Sequence, residues 1–180
     1  SIIYYFVPML KQCLSLLFLL VLLQVSAQQK TDILHYRFEL ELDDAHDTIK
    51  GSAVIDLRFT ENTDQFELDL VRAGQSGKGM MIRDAGYMLQ GIYWKNYEHT
   101  GDKIIFRGTF RKGDSAEVAI VYKGIPADGL IISKNKYGNR TFFGDNWPNR
   151  AHHWLPCTDN PGDKASVEFL VTAPSRYKVV

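Results

Sequence analysis

The sequence has 180 residues with 21 basic and 21 acidic side chains, so its formal net charge is zero at neutral pH. Apolar residues make up 45% and charged residues 23% of the chain, which is ordinary globular composition. This balance excludes a disordered acidic tail, a basic nucleic-acid-binding arm and a collagen-like chain. The chain begins at Ser1 and ends at Val180 without a turn or polar tail, which we interpret as a piece of a longer protein.

The N-terminal segment has the order of a secretory signal. Met9 is the only plausible start, and it is followed by one cation, Lys11, an uncharged run over residues 14–23 and the small residues before and at Ala27. The alternative is a membrane anchor, but a spanning helix needs about 20 consecutive apolar residues and Lys11 interrupts the run. We therefore predict a signal peptide over Met9–Ala27, preceded by upstream residues, in a protein that is secreted or periplasmic and not membrane-spanning.

Residues 28–180 have the alternating pattern of a β-rich domain, truncated at its C-terminal end. Residues 35–43 alternate between apolar and polar side chains, which is typical of a half-buried strand. Residues 49–60 alternate likewise, and the small residues Gly51 and Ala53 on the apolar face predict that something packs closely there. Further strands are predicted at residues 66–70, 91–98, 103–107, 116–122, 131–133, 140–143, 165–171 and 177–180.

The glycine-rich stretch over residues 74–79 superficially resembles a phosphate-binding loop. A P-loop has Gly-x4-Gly-Lys-Ser/Thr opening a helix, whereas here Lys78 is followed by Gly79 and by no helical period. We therefore interpret the stretch as a turn. Because about nine short strands follow one another at short spacing, the predicted fold class is all-β, an antiparallel β-sandwich or a set of layered sheets.

Residue types that carry catalysis are present, but not in a catalytic pattern. No His-Glu-x-x-His sequence and no Gly-x-Ser-x-Gly elbow occur. The adjacent His152 and His153 are expected on opposite faces of a strand, where they cannot easily share a metal. Cys157 is the one cysteine that remains after the signal. We expect a buried thiol there; pairing with sequence beyond Val180 or a nucleophilic role is less favoured.

The most informative stretch covers residues 137–174, where aromatic and proline residues stand among polar ones. Outside regular strands, such a segment exposes aromatic side chains to water at a cost in free energy, unless it packs against another part of the protein. One interpretation is a loop that covers the core, and the other is the rim of a ligand cleft or a domain interface. The aromatic residues are Phe142, Phe143, Trp147 and Trp154, and the prolines are Pro148, Pro156, Pro161 and Pro174.

This stretch resembles the M1 zinc aminopeptidases. Their N-terminal β-domain carries a Pro-Cys-Phe-Asp-Glu-Pro-type segment, followed by Lys-Ala-x-Phe and a strand. The chain has Pro156-Cys157-Thr158-Asp159-Asn160-Pro161 and then Lys164-Ala165-Ser166-Val167-Glu168-Phe169. The strands predicted at 36–42 and 49–53, and the run 118–122 followed by Gly124, resemble the same domain. The resemblance therefore covers nearly all of residues 31–180.

The resemblance implies that the catalytic parts lie downstream, in a catalytic domain of the same polypeptide. These parts are the Gly-x-Met-Glu-Asn loop, the His-Glu-x-x-His helix, a third glutamate ligand and a tyrosine. It implies Zn²⁺ in the full-length parent, none bound by this chain, and peptide substrates with a free N-terminus. In the family the N-terminal domain lends the site a Gln or Glu nine residues before the proline of Pro-Cys, which binds the substrate's amino group.

That position is Trp147 in this chain, and Asp145 two residues earlier is the carboxylate that can substitute. Asp145 and Trp147 are therefore the candidate substrate-binding residues. The open alternative is that Trp147 fills the core and Asp145 only caps the turn. Structural roles are expected for Arg150 and for the motif, in which the Asp159 carboxylate can accept backbone N–H bonds. The motif residues are Pro156, Cys157, Asp159 and Pro161.

Two functions follow from these observations. The first is the N-terminal domain of a secreted M1-like zinc aminopeptidase, which caps the active-site cleft and packs on the catalytic domain. The alternative is a stand-alone secreted β-sandwich that binds glycan or protein through its tryptophan and tyrosine residues. Sequence beyond Val180 discriminates between them, because only the first function requires a His-Glu-x-x-His helix downstream.

Overall fold

The computed structural model describes residues 29–180, so the signal peptide predicted over Met9–Ala27 lies outside the described residues. Within this range the only helical piece is a 3₁₀ turn at Ala151–His153, and no helix is long and apolar enough to cross a membrane. The strands are β1 Thr31–Glu41, β2 Ile49–Phe59, β3 Thr63–Asp69, β4 Gly79–Leu89, β5 Ile92–Trp94, β6 Tyr97–Thr100, β7 Lys103–Phe110, β8 Ser115–Ile125, β9 Leu130–Lys134, β10 Arg140–Gly144 and β11 Ser166–Thr172.

The largest sheet has the strand order β11-β1-β2-β8-β4-β5. Its neighbours pair antiparallel, except that β11 runs parallel to β1, with Phe38 opposite Phe169. The prediction of an all-β fold with layered sheets is confirmed, but a wholly antiparallel arrangement is wrong at this edge. A parallel pair needs a long crossover, and the segment between β8 and β11 provides one.

A three-stranded sheet, β3-β7-β6, packs on one face of the large sheet and closes the core. Aromatic rings join the two layers: Phe110 stacks on Phe59 with ring centroids 4.4 Å apart, and Phe66 meets Phe59 edge-on at 5.5 Å. Each ring is at most 1% exposed, so these pairs remove a large apolar area from water. The hairpin β9–β10 forms a separate two-stranded sheet beside them.

The close packing predicted at Gly51 is present. A Cβ atom built on Gly51 would lie 2.3 Å from Cζ of Tyr122, which is opposite it on β8. The tyrosine ring therefore occupies the space that any larger side chain on β2 would need. Tyr122 is fully buried, and its hydroxyl has no hydrogen-bond partner among the described residues.

Three strand predictions differ from the structure. The single strand predicted at 91–98 is broken at Lys95 and Asn96, because β5 joins the large sheet while β6 joins the small one. Strand β4 is not among the predicted strands, since a bulge between Ile82 and Asp84 interrupts its alternation. Residues 177–180 form no strand, although one was predicted there.

Candidate functional site

The informative stretch contains β10, β11 and the loop between them, and its aromatic residues divide into a buried and an exposed set. Trp154 and Leu155 are buried in the core, and Nε1 of Trp154 donates to Oδ1 of Asn146 at 2.9 Å. The interpretation as a loop that covers the core is therefore right for this part. Phe143 and Trp147 are exposed instead.

Arg150 holds the loop over residues 145–150 in place. Its Nη2 donates to Oδ2 of Asp145 at 2.8 Å, and its Nε donates to the carbonyl of Trp147 at 2.9 Å. Its Nη1 lies 3.7 Å from Oδ1 of Asp128, on the approach to β9. The planar guanidinium suits several acceptors at once, which a lysine could not match. The Arg150 side chain thus connects the loop over residues 145–150 with the segment between β8 and β9.

The two candidate substrate-binding residues, Asp145 and Trp147, have different surroundings in the structure. Trp147 is 74% exposed, so the alternative in which it fills the core is wrong. The Asp145 carboxylate is bound by Arg150, and its backbone N–H donates to the carbonyl of Gly129 at 2.7 Å. The carboxylate of Asp145 is therefore held in position by an ion pair with Arg150. Contact of either residue with substrate stays a prediction.

The Pro-Cys segment is attached to strand β3 by its backbone. Asp69 and Cys157 exchange two hydrogen bonds, N to O at 2.6 Å and 3.1 Å. Cys157 is a free, buried cysteine within the described residues. Burial raises the pKa of its thiol well above the ordinary value, and the nearby carboxylates of Asp159 and Asp69 raise the pKa further. A thiol that stays protonated is a poor nucleophile, which agrees with a packing role.

Asp159 lies at the centre of a polar network. Its Oδ2 is 2.7 Å from Nδ1 of His152 and accepts from the backbone N–H of the same residue at 3.3 Å. Its own N–H donates to Oδ2 of Asp69 at 3.0 Å, and Asp69 in turn accepts from Lys103. The stabilising role of Asp159 stays a prediction, but its partners are now known. Asp69 and Lys103 were missed because they lie on strands distant in sequence, with no local motif.

The histidine pair is arranged differently from the prediction. His152 and His153 lie in the 3₁₀ turn, and their ring centroids are 4.5 Å apart at 37°, so they do not point to opposite faces of a strand. Burial lowers the pKa of His153, and the neighbouring His152 lowers it further. No group of three His, Cys, Asp or Glu residues within residues 29–180 could hold a metal. The zinc that the resemblance implies for the full-length parent therefore has no ligand set among residues 29–180.

An apolar groove of about 510 Å³ lies between the β11 side of the large sheet and the hairpin β9–β10. Its floor is formed by the buried Trp154 and Leu130, while Phe143 on β10 and Phe169 on β11 are 62% and 46% exposed at its sides. A contiguous apolar surface of this kind is unusual for a surface that faces only water. The groove is therefore a candidate interface.

The family model described as Peptidase M1 N-terminal domain matches residues 33–180. This is most of the chain, and it includes both the network at Asp159 and the loop at Trp147. The chain therefore belongs to the family of M1 peptidase N-terminal domains. Among curated proteins, no sequence matches the chain.

Solved structures share this fold. An M1 zinc metallopeptidase from Deinococcus radiodurans aligns with a TM-score of 0.64 and 22% identity over 82% of this chain and 33% of its own. A mutant of that organism's enzyme bound to a Tyr-Ser-Ala substrate gives the same values. A mutant two-domain M1 zinc metallopeptidase bound to L-arginine gives 0.63 and 21%, over 82% and 34%. The chain thus spans about a third of the length of these structures.

Proposed function

We propose that this chain is the N-terminal domain of a secreted M1-like zinc aminopeptidase that removes residues from the N-terminus of peptides. The support is its membership of the M1 N-terminal domain family and its fold, which is shared with zinc metallopeptidases of which the alignment covers about a third. The substrate-bound structure of one relative supports peptides as the substrate class. The stand-alone glycan- or protein-binding module receives no such support.

The apolar groove is the observation that carries the domain's role. Phe143 and Phe169 expose large apolar surfaces on either side of it. Exposed patches of this kind mark interfaces, and covering them with a catalytic domain would remove them from water. In this proposal the domain packs on the catalytic domain through the groove and caps the cleft with the neighbouring loop at Trp147.

The residues of this chain assign the zinc chemistry to another part of the protein. Since residues 29–180 offer no metal-binding group, we assign the zinc ligands and the general base to the downstream domain. Zinc bound there would polarise the scissile carbonyl and activate water. The residues of this chain would position the substrate and exclude solvent.

The activity is tested with the full-length protein and a pair of peptides. One has a free N-terminus, and the other is the same peptide with an acetylated N-terminus. We expect stepwise release of amino acids from the free peptide and none from the acetylated one. Equal cleavage of both, or cleavage in the middle of the sequence, would contradict an aminopeptidase.

The interface is tested with Phe143→Ser in the full-length protein. We expect faster proteolysis between the two domains, because an apolar contact is replaced by a polar group. Ile92→Ser is the matched control: Ile92 is 57% exposed and lies on β5, at the opposite edge of the large sheet. Equal proteolysis rates for the two variants would contradict docking through the groove.

A further inference from the structure

We propose that Gln28 becomes the N-terminal residue of the mature protein and cyclises to a pyroglutamate, which leaves the chain without a free α-amine. The inference rests on the secretion that the proposed function includes, and it adds a modification site to that function. Two observations carry it: the residue that follows the predicted cleavage point, and the contacts that hold Gln29 and Lys30 on the folded domain.

Glutamine is the residue that cleavage of the predicted signal peptide would expose. The signal ends with Ser26-Ala27, and Gln28 follows directly. Cleavage after Ala27 therefore turns an internal glutamine into an N-terminal one. Of the two neighbouring glutamines, only Gln28 acquires a free α-amine, since the nitrogen of Gln29 stays in a peptide bond.

An N-terminal glutamine carries a nucleophile and its electrophile on one residue, so the reaction between them is intramolecular. The neutral α-amine attacks the carbon of the side-chain carboxamide. A bond forms between the α-nitrogen and Cδ, and the bond between Cδ and Nε2 breaks. A proton passes from the amine to the departing nitrogen, which leaves as ammonia. The product is a five-membered lactam, and its formation needs no oxidant, reductant or co-reactant.

Gln28 lies outside the described residues, and the two residues that follow it are held by the folded domain. Nε2 of Gln29 donates to Oδ2 of Asp163 at 2.8 Å, and the carbonyl of Gln29 accepts from Oγ1 of Thr60 at 2.7 Å. The carbonyl of Lys30 accepts from the backbone N–H of Thr60 at 2.9 Å. These bonds join the N-terminal segment to the end of β2 and to the segment after the Pro-Cys motif. Removal of residues from the N-terminus would therefore remove tertiary contacts.

The lactam protects these contacts from stepwise trimming. An aminopeptidase takes chains with a free N-terminus, and each copy of the enzyme would present its own terminus to the others. A pyroglutamate has no basic α-amine, because its nitrogen is an amide within the ring. The modified terminus is therefore not a substrate for the activity that we propose, and Gln29 keeps its bond to Asp163.

The experiment uses the full-length protein, expressed with its own leader in a secreting host and examined directly after recovery. We expect an intact mass for a chain that begins at residue 28 and is lighter by one ammonia molecule than the free-glutamine form. Stepwise chemical degradation from the N-terminus should release no residue, because it needs a free α-amine. Gln28→Asn is the matched control: it keeps the carboxamide, but its shorter side chain could form only a strained four-membered ring. This variant should be degraded normally from residue 28.

The protective role is tested with the same two proteins. Under conditions in which the enzyme cleaves an unblocked peptide, the Gln28→Asn variant should lose residue 28 and then Gln29, and a zinc chelator should prevent the loss. The cyclised protein should keep its mass. The shortened chain should also melt at a lower temperature, because the bond from Gln29 to Asp163 is gone.

The outcomes separate the inference from the proposed function. A chain that retains residues 9–27, or one cleaved at another bond, overturns cleavage after Ala27 and the inference with it. A chain that begins with a free Gln28 overturns the modification alone, and so does a lactam that forms only during storage. An enzyme that cleaves no unblocked peptide overturns the proposed aminopeptidase, while the mass of the terminus still decides the modification. If the peptide is cleaved but the Gln28→Asn variant keeps residue 28, the protective role is overturned.

Discussion

Nδ1 of His152 lies 2.7 Å from Oδ2 of Asp159, and both side chains are 17% exposed. This bond joins the 3₁₀ turn to the Pro-Cys segment, which is itself attached to β3 by the backbone of Asp69. The aromatic loop and the motif are therefore parts of one hydrogen-bonded unit. Loss of a partly buried bond of this kind has a measurable cost in stability.

We expect Asp159→Ala to lower the free energy of unfolding by about 1–2 kcal/mol, because His152 loses a partner at both its ring and its backbone N–H. Denaturant unfolding measures the change. Asp64→Ala, at an exposed position on β3, is the control and should have little effect. An unchanged unfolding midpoint for Asp159→Ala would show that the network is not stabilising.

Arg150→Ala should lower the free energy of unfolding by about 1.5–3 kcal/mol, because charge-assisted bonds to Asp145 and to the Trp147 carbonyl are lost together. Arg150→Lys should recover only part of this, since an ammonium cannot reproduce the planar fork. The exposed Arg83→Ala on β4 is the comparison. Full recovery by lysine would mean that charge alone holds the loop.

Gly51→Ala should destabilise the protein by about 1–3 kcal/mol, because the added methyl group would overlap the ring of Tyr122. Gly74→Ala is a matched control: no atom lies within 4 Å of a Cβ built there. Thermal unfolding of the two variants measures the difference. Equal melting temperatures would show that the large sheet adapts to the extra volume.

We expect His99 to make the free energy of unfolding decline in acid. Burial lowers the pKa of its imidazole in the folded protein, while Nε2 lies 2.9 Å from the carbonyl of Leu70. Because the folded pKa is below the unfolded value of about 6.5, the buried neutral ring makes its full contribution to the free energy of unfolding above that pH. The contribution is lost as the pH falls through the lowered pKa. His99→Gln should flatten the decline between neutral and mildly acidic pH, whereas the exposed His46→Gln should not.

The parts of the fold that alternate regularly could be predicted from the sequence. Strands β1 and β2 follow period-two patterns because one face is buried, and Gly51 signalled the close approach of Tyr122. The bulged strand β4 broke its pattern and was missed. The passage of the chain between sheets at Lys95 was also missed, since each half alone resembles an ordinary strand.

The site was predictable only in part for a physical reason. The Pro-Cys motif and the exposed aromatic loop are each contiguous in sequence, so a local sequence pattern reveals them. The partners that fix them are not contiguous: Asp69 lies on β3, Lys103 on β7 and Asp128 before β9. The ion pair between Asp145 and Arg150 likewise depends on the tertiary structure, because either side chain could equally have faced solvent.

The most direct measurement is the zinc content of two purified proteins: the full-length parent and residues 29–180 alone. We expect about one zinc per full-length molecule, together with aminopeptidase turnover that a chelator abolishes. We expect neither zinc nor turnover for residues 29–180, whose described side chains form no ligand group. A full-length protein without zinc and without turnover would contradict a zinc aminopeptidase, and stoichiometric zinc in residues 29–180 would contradict a zinc site in the downstream domain.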